Sequence, residues 1–247
     1  MSADSSRVLV WDWAVRLFHW LAVLLFVLMW WTAENWIMDW HRRIGMMLVG
    51  LLTFRIVWGL IGPPSARFAA MFAGPGAILA YIRTLLSGGH KASAGHNPLG
   101  TLSVFAILVA LCTQVGTGLF AVDVDGLESG PLARFVSFEA GRQAAEIHEI
   151  SFNILLALVA LHVVAIVSYL VFFKDNLVRP MVTGRRARAD FDGAPVADNK
   201  ASPLRVLVAL VLAFAAMSAV WFAGGGWPGL ACHDTFFLLS DGNRVVG

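Results

Sequence analysis

One long apolar segment determines most of what this chain can fold into. No charged residue occurs from position 150 to position 173, and this run is long enough for a helix that spans a bilayer. The run contains His162, and His148 stands just before it. On a helix these two histidines are separated by about 21 Å along the axis and by only about 40° around it. One face of one helix therefore presents an imidazole near each side of the membrane.

The paired histidines indicate a functional site. An imidazole in hydrocarbon is costly unless it finds a partner, so histidines in spanning helices usually mark function. A single histidine such as His162 has an ordinary alternative, which is a hydrogen bond to a neighbouring helix. Two imidazoles at two depths are suited to two stacked hemes, each of which needs axial ligands.

The composition places the chain in a membrane, with lipid as its surroundings. Hydrophobic residues make up 58% of the 247 residues and charged residues only 14%, against about 25% charged residues in soluble domains. The net charge of +2 is too small to indicate nucleic-acid binding. The two cysteines, Cys112 and Cys232, form neither a metal-binding motif nor an evident disulfide.

We predict an all-α integral membrane protein, with a four-helix transmembrane bundle that binds two b hemes and an additional fifth transmembrane helix. An interfacial amphipathic helix is predicted near 76–86, and no cleaved signal peptide is expected. The five spans are predicted near 13–31, 41–61, 99–122, 147–173 and 204–222. The corresponding regions are a diheme domain at 1–186, a cytoplasmic linker at 187–202, the fifth helix at 203–223 and a periplasmic tail at 224–247.

Lysine and arginine in the connecting segments predict the orientation. The connector at 65–97 holds three bases and no acid, and the segment at 174–202 holds six bases and four acids. The connector at 123–146 holds five acids against two bases. We therefore expect a multi-pass membrane protein with a cytoplasmic N-terminus and with the tail on the outer side.

Four arginines near the span ends have two interpretations. Arg42 and Arg43 lie at the outer end of the second span, where the positive-inside rule expects few bases. Arg16 and Arg55 lie toward the inner side. Each could neutralise a heme propionate, or its charged group could reach the lipid head groups.

The predicted orientation pairs the histidines by depth. His41 and His148 fall near the outer side, whereas His19 and His162 lie deeper. Each pair could hold one six-coordinate heme b as axial iron ligands, which favours one-electron transfer over oxygen activation. For His41 the alternative is a solvated residue at a helix start.

The remaining histidines are interpreted differently. His90 and His96 fall in the polar connector and are expected to be loop residues. His233 follows Cys232, but Gly229 stands where a covalent heme motif, C-x-x-C-H, needs its first cysteine. We expect the tail to be structural or to face a partner.

Several strings resemble a known family. The segment HEISFNILLALVALHVVAIVSYLVFFKDNLVRPM resembles the last heme-bearing helix of the prokaryotic cytochrome b561 family, and RLFHWL resembles its first ligand segment. GHNPLG and the later TGLF resemble the related b-type cytochrome subunits of nickel–iron hydrogenases. The resemblance covers residues 10–186. It implies a four-helix core with two b hemes that exchanges electrons with quinol or quinone. It also implies ligand roles for His19, His148 and His162 by motif and for His41 by position.

These observations lead to one main hypothesis and two of other classes. The main one is a membrane diheme b-type cytochrome between the quinone pool and a periplasmic redox partner such as a c-type cytochrome. A hydrogenase or superoxide could take the partner's place, and whether the protein acts as a quinol oxidoreductase enzyme is left open, as is a homodimeric state. The others are a transporter or assembly factor with proton-relaying or metal-binding histidines, and a structural membrane anchor.

Overall fold

The structure is a computed structural model that describes residues 7–71, 74–87, 95, 97–191 and 199–226. His90, His96, Cys232 and His233 lie outside these residues, as do much of the linker at 187–202 and of the tail from 227. The described part is mostly helical, with one two-stranded antiparallel sheet. The strands are β1 (Arg7–Leu9) and β2 (Arg185–Ala187). The helices are α1 (Trp13–Glu34), α2 (Met38–Ile61), α3 (Phe68–Met71), α4 (Pro75–Leu86), α5 (Pro98–Gly118), α6 (Phe138–Phe172), α7 (Val178–Thr183) and α8 (Pro203–Ala223).

Five of these helices are long and apolar enough to cross a membrane. They are α1, α2, α5, α6 and α8. Large apolar side chains cover their outer surfaces, as Leu24, Leu161 and Phe214 do with exposed fractions of 52%, 65% and 66%. Such surfaces are stable against lipid and not against water. The prediction of an all-helical, multi-pass membrane protein is confirmed.

The helix α6 begins earlier than the hydropathy indicates. It starts at Phe138, whereas the fourth span is predicted from position 147. The hydroxyl of Ser137 caps it by accepting a hydrogen bond from the N–H of Ala140 at 3.2 Å, and Glu139 lies favourably in the first turn. With 35 residues, α6 is about 52 Å long, so its first turns extend beyond the hydrocarbon layer.

The long helices pack as two pairs, α1 with α2 and α5 with α6. Aromatic contacts link the pairs: Phe26 of α1 stacks on Phe152 of α6, with centroids 6.3 Å apart, and Phe68 lies 5.6 Å from Phe105 of α5. The fifth span α8 lies along α2. There a Cβ on Gly50 would be 3.7 Å from the carbonyl oxygen of Ala213, the close approach typical of small residues between membrane helices.

The two ends of the bundle differ. The sheet end comprises β1, β2 and the adjacent ends of α1, α2, α6 and α8, and a buried cluster of side chains lies there. The loop end comprises the turn between α1 and α2 and the connector 119–137 between α5 and α6. At the sheet end, Asp12 caps α1 by accepting hydrogen bonds from the N–H groups of Ala14 and Val15, at 2.9 and 3.1 Å. The indole N–H of Trp58 donates to its other oxygen at 3.4 Å.

Candidate functional site

Two of the predicted site residues meet at the loop end. The rings of His41, in the first turn of α2, and His148, on α6, have centroids 6.3 Å apart and planes at 79°. Two imidazoles that bind one metal ion from opposite sides, with bonds of about 2 Å, have centroids about 6 to 6.5 Å apart. The ring spacing therefore fits a metal ion held between His41 and His148.

Backbone carbonyls orient both rings. Nδ1 of His41 lies 3.2 Å from the carbonyl oxygen of Met29, and Nδ1 of His148 lies 2.9 Å from that of Gln114. A carbonyl only accepts, so each Nδ1 carries the proton and donates it. Each Nε2 then holds the lone pair that a metal needs, and the hydrogen bond from Nδ1–H increases its basicity.

A polar cluster beside His148 was missed by the sequence analysis. The side-chain amide of Gln114, on α5, donates to Nε2 of His148 at 3.0 Å, so a metal ion would have to displace this amide to bind His148. The hydroxyl of Ser151, one turn along α6, donates to the Oε1 atom of Gln114. A glutamine in an otherwise apolar span is itself a signal of a buried partner, although its position in the sequence does not say which one.

A glycine allows the ring of His148 to lie close to α5. A Cβ atom on Gly118 would be 2.8 Å from Cε1 of His148 and 3.1 Å from its Nδ1. Contacts this short displace a ring. A Cβ on Gly116, half a turn away, would meet no heavy atom within 4 Å among the described residues. The small residue at 118 is therefore part of the site.

The deeper pair, His19 and His162, lies toward the sheet end. The two rings are close enough to interact electrostatically. Nδ1 of His162 lies 3.3 Å from the hydroxyl of Ser103 on α5. Nδ1 of His19 is buried, and none of the described residues gives it a hydrogen-bond partner. A buried imidazole nitrogen that the described chain leaves unsatisfied is consistent with a site for a bound group.

The two pairs are separated along α6. His148 and His162 are about 21 Å apart along the helix axis. Leu155 lies midway between them on the same face and is only 1% exposed. Its packing separates the two levels, so each histidine pair forms its own site.

The donor set matches an axially bound heme. Among the described residues, no group of three or more His, Cys, Asp or Glu side chains is placed to hold a metal ion. Each site offers two imidazoles, and a metal-containing group that brings its own remaining ligands suits such a pair. A porphyrin supplies four equatorial nitrogens and leaves two axial positions for histidine. The residues at both levels therefore fit a b-type heme.

Two of the arginines near the sites, Arg42 and Arg55, form contacts within the protein. Arg42 forms ion pairs with Asp39, at 2.6 Å, and with Glu128 of the connector 119–137. Arg55 is only 4% exposed, donates to the carbonyl oxygen of Ala66 at 3.3 Å and lies 4.6 Å above the ring of Phe68. Its burial excludes the interpretation that its guanidinium reaches the lipid head groups.

Comparison with known proteins adds a family. The family model described as prokaryotic cytochrome b561 matches residues 10–184. These residues contain α1 to α7 and all four site histidines, and α8 lies outside the match. The curated proteins include no significant match to the chain.

Proposed function

The chain belongs to the prokaryotic cytochrome b561 family, and from this membership and the paired histidines we propose that it is a diheme cytochrome that connects the quinone pool with a periplasmic redox protein. Membership of this family identifies the chain as a membrane b-type cytochrome that takes part in electron transfer. The proposal adds the number of hemes, the ligands, the quinone and the partner.

One observation carries the proposal. His148 and His162 lie at two levels on one face of α6, and each has a second histidine nearby, His41 and His19 respectively. We assign His41 and His148 to a heme at the loop end, and His19 and His162 to a heme toward the sheet end. Two levels about 21 Å apart along α6 give electrons a route across most of the membrane.

The roles of the protein groups follow from their contacts. A heme held by His41 and His148, or by His19 and His162, would supply reversible one-electron transfer. The carbonyl groups of Met29 and Gln114 keep the rings of His41 and His148 in the tautomer whose Nε2 carries a lone pair. For His148, a heme would bind at this atom in place of the Gln114 amide. Leu155, which is buried between the two levels, would limit the access of water there.

The topology supports partners on opposite sides. The connector 119–137 at the loop end carries the acidic residues Asp123, Asp125 and Glu128. The sheet end is rich in arginine, with Arg179, Arg185, Arg186 and Arg188 among its residues. Because bases gather on the cytoplasmic side, we place the sheet end in the cytoplasm of a bacterial inner membrane and the periplasmic redox protein at the loop end.

Heme quantitation tests the proposal. The protein is purified from heme-supplemented cells, and hemes per chain are counted by pyridine hemochrome together with a reduced-minus-oxidised spectrum. We expect two b hemes in the wild type and one in each of the variants His148→Ala and His162→Ala. The matched control Asn153→Ala, on the same helix, should keep two. A wild type without heme, or variants that keep both hemes, would contradict the ligand assignment.

The quinone part needs a separate measurement. Membranes that contain the protein are mixed with a reduced quinol, and heme reduction is followed at the visible absorption bands. We expect rapid reduction that a quinone-site inhibitor slows. Reduction no faster than in the same membranes without added quinol would remove quinol from the proposal and leave the heme assignment intact.

A further inference from the structure

A cavity at the sheet end has no role in the electron route described above. It has a volume of about 340 Å³ and is enclosed by the segment after α6, by α7 and by the β1–β2 sheet. Its lining begins at Phe173, directly after the last residue of α6. Because α6 spans the membrane, the cavity lies where the hydrocarbon layer gives way to the lipid head groups.

Basic side chains dominate the lining. Among the described residues, five bases and two acids face the cavity, which leaves a formal charge of +3. The bases are Arg7, Lys174, Arg179, Arg185 and Arg186. They come from three separate segments of the chain, and the pairing of β1 with β2 brings Arg7 and Arg185 to the same wall. The fold therefore brings together, at one cavity, basic residues that are far apart in the sequence.

One of these bases already forms an ion pair with an acid of the same wall. Arg186 donates to the carboxylate of Asp175 at 2.5 Å, and both side chains are buried. The same guanidinium donates to the backbone oxygen of Asp190 at 3.1 Å. Since Arg186 and Asp175 neutralise one another, the other four bases face the cavity against a single carboxylate, that of Asp190.

The backbone at Lys174 is held in an uncommon conformation. Its φ angle is +56°, in the left-handed region that glycine and asparagine usually occupy. This conformation ends α6 and lets the N–H of Asp175 donate to the carbonyl oxygen of Tyr169 at 3.0 Å. A lysine in such a conformation costs free energy, and such costs concentrate at functional positions. Here the turn brings the lysine ammonium to the rim of a cationic cavity.

We propose that this cavity binds a phosphate group, and that its source is the head group of an anionic phospholipid. Arginine suits phosphate because its planar guanidinium donates two parallel hydrogen bonds. Basic pockets beside spanning helices favour anionic lipids. The position at the end of α6 gives a lipid phosphate direct access from the membrane plane. A free phosphate ion presents the same chemistry, so the test distinguishes the two sources.

The test uses the heme-loaded, full-length protein in nanodiscs of phosphatidylcholine, with phosphatidylglycerol added in steps. The thermal midpoint is followed by tryptophan fluorescence, and bound lipid is counted by native mass spectrometry. The cavity variant carries Arg7→Gln, Arg179→Gln and Arg185→Gln, all at exposed positions. The control variant carries Arg83→Gln, Lys200→Gln and Arg205→Gln, which are exposed, change the charge equally and lie outside the cavity lining.

We expect phosphatidylglycerol to raise the midpoint saturably in the wild type and in the control. Each base near an anionic lipid is worth about a fivefold change in affinity, so the cavity variant should bind about a hundredfold more weakly. The conservative variant Arg7→Lys, Arg179→Lys, Arg185→Lys should keep most of the effect. Equal lipid responses in the cavity and control variants would overturn the proposal, and so would the absence of any response in the wild type.

A parallel titration with inorganic phosphate, without anionic lipid, identifies the source. No saturable midpoint shift with phosphate, together with the lipid response, supports the head group. A saturable phosphate shift that the cavity variant loses, without a lipid response, keeps the phosphate site and overturns the lipid source. The heme spectra of all variants should match the wild type, because none of these side chains contacts the histidine pairs.

Discussion

The imidazole rings of His41 and His148 stand nearly perpendicular, with their planes at 79° and their centroids 6.3 Å apart. Each ring is oriented by a different backbone carbonyl group. His41 donates to the carbonyl of Met29 on α1, and His148 donates to that of Gln114 on α5. Bringing the rings parallel would require breaking one of these hydrogen bonds. The packing of α1 and α5 thus determines the relative orientation of the two rings.

The first prediction concerns the electronic structure of the heme proposed for this pair. Perpendicular axial imidazoles leave two iron d orbitals nearly equal in energy, whereas parallel ones separate them. We therefore expect the ferric protein to give a strongly anisotropic low-spin electron paramagnetic resonance signal that is lost in His41→Ala. A signal of the parallel type that disappears in the same variant would show that the rings rotate when heme binds.

The second prediction concerns the amide of Gln114. Its dipole lies beside His148, and a polar surrounding favours the charged ferric state of a heme. Gln114→Leu should raise the midpoint potential of the loop-end heme by about 40 mV, the equivalent of a hydrogen bond of about 1 kcal/mol in a one-electron couple. Potentiometric titration with spectral deconvolution measures both hemes.

Ser103→Ala gives the reciprocal control. Ser103 contacts His162 and not His148, so its removal should move the potential of the other heme and leave the loop-end heme unchanged. If both substitutions shift the same heme, the assignment of these side chains to separate levels is wrong.

The third prediction uses the two glycines of α5. Gly118→Ala places a methyl group 2.8 Å from the His148 ring, so the ring must move and the loop-end heme should be lost or become weakly bound. Gly116→Ala places the same methyl group in open space. Both changes replace a glycine by alanine, the better helix former. Heme content should therefore fall in the first variant only, and an equal loss in both would show that the close contact is unimportant.

The fourth prediction concerns pH. Burial raises the pKa of Asp12, although hydrogen bonds and the charge of Arg55 partly oppose the shift. The folded protein therefore binds this proton more tightly than the unfolded chain does. Linkage then makes the free energy of unfolding decrease as pH rises from the unfolded value of about 3.9 through the raised folded value. Asp12→Asn, which keeps an acceptor for the helix cap, should remove this part of the pH dependence.

The check is the thermal midpoint of unfolding, measured from about pH 3.5 to about pH 7. This interval contains the pH range in which linkage predicts the loss of stability. Asp12→Ala serves as the comparison, because it also loses the cap and should be less stable than Asp12→Asn by about 1 kcal/mol. Parallel pH profiles for the wild type and Asp12→Asn would contradict the role of this carboxyl group.

The number of membrane-spanning helices and the shared face of His148 and His162 follow from the sequence, because hydropathy and helical periodicity are local properties. The early start of α6 does not, since its first turns lie outside the apolar run and depend on the cap at Ser137. The contact between Gln114 and His148 depends on how α5 is rotated about its axis, which spacing within one helix does not define. The burial of Arg55 likewise depends on helices from other parts of the chain.

The end of α8 has a consequence for partners. A Cβ on Gly224 would lie 2.9 Å from the carbonyl oxygen of Pro131, so α8 ends against the connector that flanks His148. The polypeptide that follows Gly226 is therefore attached at the end of the bundle that holds His41 and His148. Linking two sites through one chain raises their effective concentration, to about millimolar when the link is short. A group carried or bound by that segment would reach this site without a diffusional search.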